Sequence, residues 1–191
     1  MTGIDSYLRS QTTLNDEHIE RIIAAATPRS LRRNEWLLQQ GQICRHKTFV
    51  AKGLLRIYGT TNDGGEHILQ FSQEGHWTVD AESYHRQNPS AFNISAVEPS
   101  QILLWTKTDF DQLLADIPQL AFFSQQLVQL NIYDNRQRLF TTLSATPEEK
   151  YSAFIRAYPD LLNRLPLHMI AAYLGLSLKT LTRIRHAQLH R

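Results

Sequence analysis

The 191-residue chain has a single cysteine, Cys44. That excludes an internal disulfide framework, a Cys-x-x-Cys zinc site and a four-cysteine iron–sulfur cluster. Long apolar runs are missing as well. Clusters such as Ile22-Ile23-Ala24-Ala25-Ala26 fall far short of the roughly 20 residues that a bilayer span requires. Residues 1–15 carry polar residues throughout and contain no apolar leader core, so a secretory signal is not expected. A reduced, cytoplasmic protein without a membrane partner is. No Gly-x-Ser-x-Gly, P-loop or post-strand Gly-x-Gly-x-x-Gly motif occurs, and no enzyme is expected. His46, His67, His76 and His85 are scattered without a His-x-His pair, so they read as surface or hydrogen-bonded histidines and not as a metal site. Asp80 and Glu82, two residues apart, do not read as a catalytic carboxylate pair on a strand. Trp36, Trp77 and Trp105 read as core or pocket-wall residues.

What is present fits a folded chain: 42% hydrophobic and 20% charged residues, enough for one ordinary domain or two small ones. The net charge of +2 implies no partner by itself, but its distribution does. Residues 164–191 hold Arg164, Lys179, Arg183, Arg185 and Arg191 and no Asp or Glu, so the last 28 residues carry +5 and the remainder −3. A basic end on a mildly acidic body points to a polyanionic partner at the C-terminus.

Along the chain, residues 15–26 predict a short helix capped by Asn15 or Asp16 and stopped by Pro28. Short runs of branched and aromatic residues follow, separated by turn signals: EWLLQQ, TFVAKG, LLRIYGTT, EHILQF, FNISAV and QILLWT. Strands at this spacing predict an antiparallel sandwich or barrel. The clearest hairpin turn is Asn62-Asp63-Gly64-Gly65. The period then becomes helical. Residues 109–116 form a short amphipathic piece, and a long helix runs over 119–143. Leu120, Phe123, Leu127 and Leu130 make an a/d seam on it, suited either to a symmetry mate or to the chain's own barrel. Thr146-Pro147-Glu148-Glu149 starts a further helix with a cap, an N1 proline and an acidic first turn.

Residues 165–187 read LPLHMIAAYLGLSLKTLTRIRHA. A helix over 167–174, Gly175 at a turn needing positive φ, Ser177 as a cap and a second helix over 178–187 have the spacing of a helix-turn-helix. On the second helix Lys179, Thr182, Arg183 and His186 share a face opposite Leu181 and Ile184. Lys179 and Arg183 suit base edges, whereas Ser177, Thr180 and the first-turn amides suit phosphate oxygens.

At this point the chain resembles the cyclic-AMP receptor protein/FNR (Crp/Fnr) family of bacterial transcription regulators. The stretch LRRNEWLLQQGQICRHKTFVAKGLLRIYGTTNDGGEHILQFSQEGHW is similar to that family's cyclic-nucleotide-binding jelly roll, with Gly41, Gly53, Gly65 and Gly75 at its turns. IAAYLGLSLKTLTRIR is similar to its helix-turn-helix, on which match Leu178, Lys179 and Arg183 take the base-reading positions. The resemblance implies an effector pocket, with Trp77, Glu82, Ser83, Arg86, Ser90, Ala91, Tyr133 and Asp134 as its candidate residues. Pro89 stands where the family's phosphate-binding arginine belongs, so a cyclic nucleotide is disfavoured and the effector is left unknown; no cofactor is expected. The family follows its recognition helix with a β-hairpin wing, where this chain has only Gln188-Leu189-His190-Arg191, and the expectation is that the wing is dispensed with.

The resulting expectation is an α+β chain. It comprises an antiparallel jelly-roll sensor domain with N-terminal helices over 1–118, a dimerisation helix over 119–143 and a helix-turn-helix domain over 144–191. The function it implies is a homodimeric transcriptional regulator bound to palindromic double-stranded DNA, with RNA polymerase as a further candidate partner. The alternative is a sensory or protein-interaction module that does not bind DNA.

Overall fold

The computed structural model describes the backbone of residues 3–189 and the side chains of residues 3–187. Two short helices, α1 (Gly3–Gln11) and α2 (Asp16–Ala24), precede eight strands: β1 (Thr27–Leu31), β2 (Trp36–Leu38), β3 (His46–Lys52), β4 (Leu55–Thr60), β5 (Glu66–Ser72), β6 (Trp77–Thr78), β7 (Asn93–Ala96) and β8 (Ser100–Thr106). Helix α3 (Ala81–Arg86) interrupts them between β6 and β7. Five helices follow: α4 (Lys107–Asp116), α5 (Pro118–Ser144), α6 (Pro147–Ala157), α7 (Leu167–Leu174) and α8 (Leu178–Leu189), with a 3-10 turn at Pro159–Asn163. No helix among the described residues is long and apolar enough to cross a membrane.

The strands form two four-stranded sheets, ordered β1-β8-β3-β6 and β2-β7-β4-β5, which make up the antiparallel jelly roll. Both faces of the first sheet are covered. From β3 and β8, Val50, Ile102 and Leu104 point between the sheets. Their neighbours Phe49, Leu103 and Trp105 point the other way, into a second cluster with Ile4, Ile19, Phe110 and Leu120 from the helices. A strand apolar on both sides reads as a continuous run and not as an alternation. Fully buried Trp105 satisfies its indole by donating to the Ile22 carbonyl at 2.8 Å. Trp36 differs from its reading as core or pocket wall: it is exposed at the edge of β2, where its indole donates to the Tyr58 hydroxyl at 3.1 Å. Cys44 is buried inside the roll, where desolvation raises its thiol pKa.

Other departures have local causes. The helix expected to stop at Pro28 ends earlier, at Ala24, and Pro28 itself sits inside β1, paired with Leu103. β1 is the outer strand of its sheet, where a missing amide donor is tolerated. Asp80 and Glu82 are not on a strand. Asp80 caps α3 by accepting from the Ser83 amide, and Glu82 lies in the first turn of that helix. The Asn62–Gly65 turn forms as expected, with the Thr61 amide donating to the Gly65 carbonyl at 2.9 Å.

The chain divides into two compact units: residues up to Gly59 with Leu69–Leu127, and Thr60–Ile68 with Val128 onward. The division falls inside α5 and splits its apolar seam. Leu120 and Phe123 are buried in the first unit's own core, and Leu127 packs partly against it. Leu120 and Phe123 thus pack on the chain's own barrel, the second of the two uses the spacing allowed, while Leu127 stays half-buried. Beyond the division α5 turns an apolar surface to solvent: Leu130, Tyr133, Leu139, Phe140 and Leu143 are all more than half exposed.

In the second unit, Arg138 on α5 gathers three elements. Its guanidinium donates to the carbonyls of Ile68 (2.8 Å) and Tyr173 (2.9 Å) and stacks 3.9 Å from the Tyr173 ring. Tyr173 in turn packs against Phe154 and Tyr158, and burial pushes its phenol pKa up.

Candidate nucleic-acid interface

The C-terminal helices are built by local signals. α6 begins at a capping box: the Glu149 amide donates to Thr146 Oγ1 at 3.3 Å, and the Thr146 amide donates to Glu149 Oε2 at 2.8 Å. The Thr146 amide and hydroxyl, both donating to its carboxylate, hold Glu149 below its usual pKa. α6 buries Tyr151 and Phe154, and α7 buries Met169, Ile170, Ala171 and Leu174. Gly175 ends α7 at φ 65°, in the left-handed region that a side chain disfavours. Ser177 then starts α8, its Oγ accepting from the Thr180 amide at 3.1 Å. α8 inserts Leu181 and Ile184, both essentially inaccessible to solvent, into this small core.

The opposite side of α8 is exposed. Leu178, Lys179, Thr182, Arg183 and His186 all face solvent, and with Ala187 they line a shallow depression of about 740 Å³. The first turn holds no acid, so the helix's positive N-terminal end is left uncompensated, an arrangement that favours an anion. The structure thus brings together the residues singled out from sequence, with one refinement. The Ser177 hydroxyl caps the helix and contacts Thr180 Oγ1 at 2.9 Å, and the Thr182 hydroxyl donates to the Leu178 carbonyl. Lys179, Arg183 and His186 carry the face's donor chemistry, and Leu178 supplies an exposed apolar side chain at its start. Residues 190–191, part of the stretch where a wing was sought, lie outside the described residues.

Arg183 has a partner that no local spacing announces. Its Nη2 lies 3.2 Å from Glu148 Oε1, in the first turn of α6, and both side chains are largely exposed.

The six effector-pocket candidates of the first unit are held in separate structural duties. Trp77 belongs to an aromatic cluster, its ring 5.2 Å from Phe49 and 5.1 Å from Trp105. It is a packing residue because sheet and helices close over it. Glu82 and Arg86 form an exposed ion pair along α3, at 3.1 Å. Ser83 is buried and structural: its Oγ accepts from the Cys44 amide (2.9 Å) and donates to the Asn88 carbonyl (2.6 Å). Ser90 is buried too, and its hydroxyl donates to Asp80 Oδ2 at 2.5 Å. Ala91 is exposed on the loop after it, while Tyr133 and Asp134 are exposed on α5 in the second unit. Pro89 forms an isolated bridge with Ile43. Asp80 is the residue that sequence reasoning undervalued, since its carboxylate occupies the donors of both the Ser83 amide and the Ser90 hydroxyl. Among the described residues no cluster of His, Cys, Asp and Glu is placed to hold a metal ion.

Comparison with known proteins agrees with both halves of this geometry. Residues 28–116 match the cyclic nucleotide-binding domain family. The transcriptional activator protein FnrA of Stutzerimonas stutzeri is 25% identical over 171 residues, covering 82% of this chain and 68% of that protein. Among solved structures, FixK2 from Bradyrhizobium japonicum shares the fold at a TM-score of 0.75 and 18% identity, covering 86% of this chain and 84% of its own. A transcriptional regulator of the Crp/Fnr family from Eubacterium rectale does so at 0.73 and 16%, covering 97% and 88%. With a match to the cyclic nucleotide-binding domain over residues 28–116, ahead of its helix-turn-helix, the chain is similar along most of its length to transcriptional regulators of this kind.

Proposed function

We propose that the protein is a homodimeric, operator-binding transcriptional regulator of the cytoplasm, with α8 as its recognition helix and no catalytic role. The observation that carries this reading is the composition of α8. One side is buried through Leu181 and Ile184, and the other presents Leu178, Lys179, Arg183 and His186 without an acid in its first turn. An Arg on such a face can donate two parallel hydrogen bonds to guanine O6 and N7 in the major groove, and a Lys a single charged one. Two copies related by a two-fold axis require half-sites about 34 Å apart, and hence a palindromic site. The exposed apolar stretch of α5, through Tyr133, Phe140 and Leu143, is the surface the second copy would cover. RNA polymerase is a further candidate partner through the likeness to the Crp/Fnr family.

The sensor domain supports a narrower effector range. An anionic cyclic phosphate needs an arginine and free donors, but Pro89 takes the arginine's place and the Asp80 carboxylate already occupies Ser90 and the Ser83 amide. A second anion there would face that carboxylate at close range in a partly desolvated site. The effector, if the domain takes one, is therefore of another kind than a cyclic nucleotide.

The test is the salt dependence of duplex binding, measured by fluorescence anisotropy. A reader that neutralises several phosphates loses affinity linearly in log–log form, with a slope near −0.9 per phosphate contacted. A slope of several units is expected. A protein-interaction module that merely carries packed C-terminal helices would show negligible duplex affinity at any salt.

A further inference from the structure

We infer that Glu148 is a positioning residue for Arg183, holding its guanidinium edge-on to the base it reads and raising discrimination at that base pair. The inference rests on the reading of α8 as the recognition helix. Glu148 and Arg183 are 35 residues apart and lie on different helices, joined at 3.2 Å. Both are exposed, 53% and 69% respectively, so the pair adds little to folding stability. Glu148 adds to the acidic first turn of α6 but makes neither bond of the capping box, which is formed by Thr146 and Glu149. What it does is fix a direction. The recorded contact runs through Nη2 alone, and a guanidinium has five N–H donors in one plane. One contact to a carboxylate therefore leaves a parallel pair free for guanine, while limiting the rotation that a four-torsion side chain would otherwise lose on binding.

The sign of the charge sharpens this. A carboxylate beside a DNA-facing helix opposes phosphate binding on every sequence, so its presence lowers affinity for random duplex. A residue that weakens non-specific contact and orients a base-reading group acts on the ratio between correct and incorrect sites. The backbone under Glu148 is suited to this, because Pro147 and the capping box fix the first turn of α6 and Tyr151 and Phe154 anchor the helix below it.

The experiment measures binding of the wild-type protein, Glu148→Gln, Glu148→Ala and Arg183→Ala at one salt concentration. The probes are the selected operator, single-base variants of it and random duplex, with thermal melting as the folding control. Both Glu148 variants are expected to bind random duplex about two- to fivefold more tightly, since each removes one negative charge. Glu148→Ala should also lose roughly five- to tenfold in discrimination at the base pair read by Arg183, and at no other position. Glu148→Gln, which keeps an acceptor oxygen, should retain part of that discrimination. If both variants tighten operator and random duplex by the same factor with every base preference intact, Glu148 is only a competing charge and the inference is overturned. It is equally overturned if neither variant changes anything. If Arg183→Ala itself leaves every base preference unchanged, the assignment of α8 fails, and that failure is distinguishable from either of the others.

Discussion

Arg183→Ala is expected to weaken binding to the operator by about 1–3 kcal/mol, or roughly 5- to 150-fold, while changing affinity for random duplex far less. The asymmetry follows from what the side chain does. A bidentate Arg–guanine contact exists only at the right base pair, whereas its charge is felt along any duplex. The substitution is a clean probe because the side chain is 69% exposed and its recorded ion pair is with exposed Glu148, so α8 keeps its Leu181 and Ile184 anchors. Anisotropy titrations at fixed salt on both duplexes give the answer. Equal losses on the two would mean that Arg183 contacts phosphate only.

The second large effect concerns assembly. Phe140→Asp places a charge on the part of α5 that is apolar yet open to solvent, with Phe140 64% and Leu143 78% exposed. In the free chain the change meets water and costs the fold little. In a two-fold dimer it buries two like charges in an apolar seam, which is strongly destabilising. The expected outcome is a monomer by sedimentation analysis and, because one half-site replaces two, a loss of operator affinity on the order of a thousandfold. An unchanged dimer mass would remove this surface from the interface. Leu127→Asp, the choice that heptad spacing alone suggests, is the poorer test. Leu127 packs against the first unit's own core, so its substitution would perturb folding and assembly together.

That contrast shows where the sequence was readable. The helix-turn-helix was legible in detail: a helix at Leu167–Leu174, Gly175 in the turn, the Ser177 cap and a helix from Leu178. Every signal there is local, a matter of periodicity, a positive φ and a capping hydroxyl within a few residues of one another. The jelly roll was legible as a class, but not β1 or α3. A proline inside β1 is permitted because that strand lies at a sheet edge, and edge position is a property of the assembled sheet. The seam on α5 was correct as a pattern and divided in its partners. Leu120 and Phe123 turn inward to Phe49, Trp105 and Phe110, while the apolar residues beyond Leu127 stay exposed, and a heptad reads the same whichever surface covers it. Asp80–Ser90 and Glu148–Arg183 were beyond reach for a further reason. They join residues 10 and 35 positions apart through side-chain geometry, with no spacing rule to announce them.

Selection of DNA from a random duplex pool by the full chain tests the central claim most directly. The account predicts enrichment of an inverted repeat whose half-sites are centred one helical turn apart, about 10 base pairs, with a guanine in each half-site whose preference disappears in Arg183→Ala. Enrichment of no motif, or of a single unpaired half-site bound by a monomer, would contradict it.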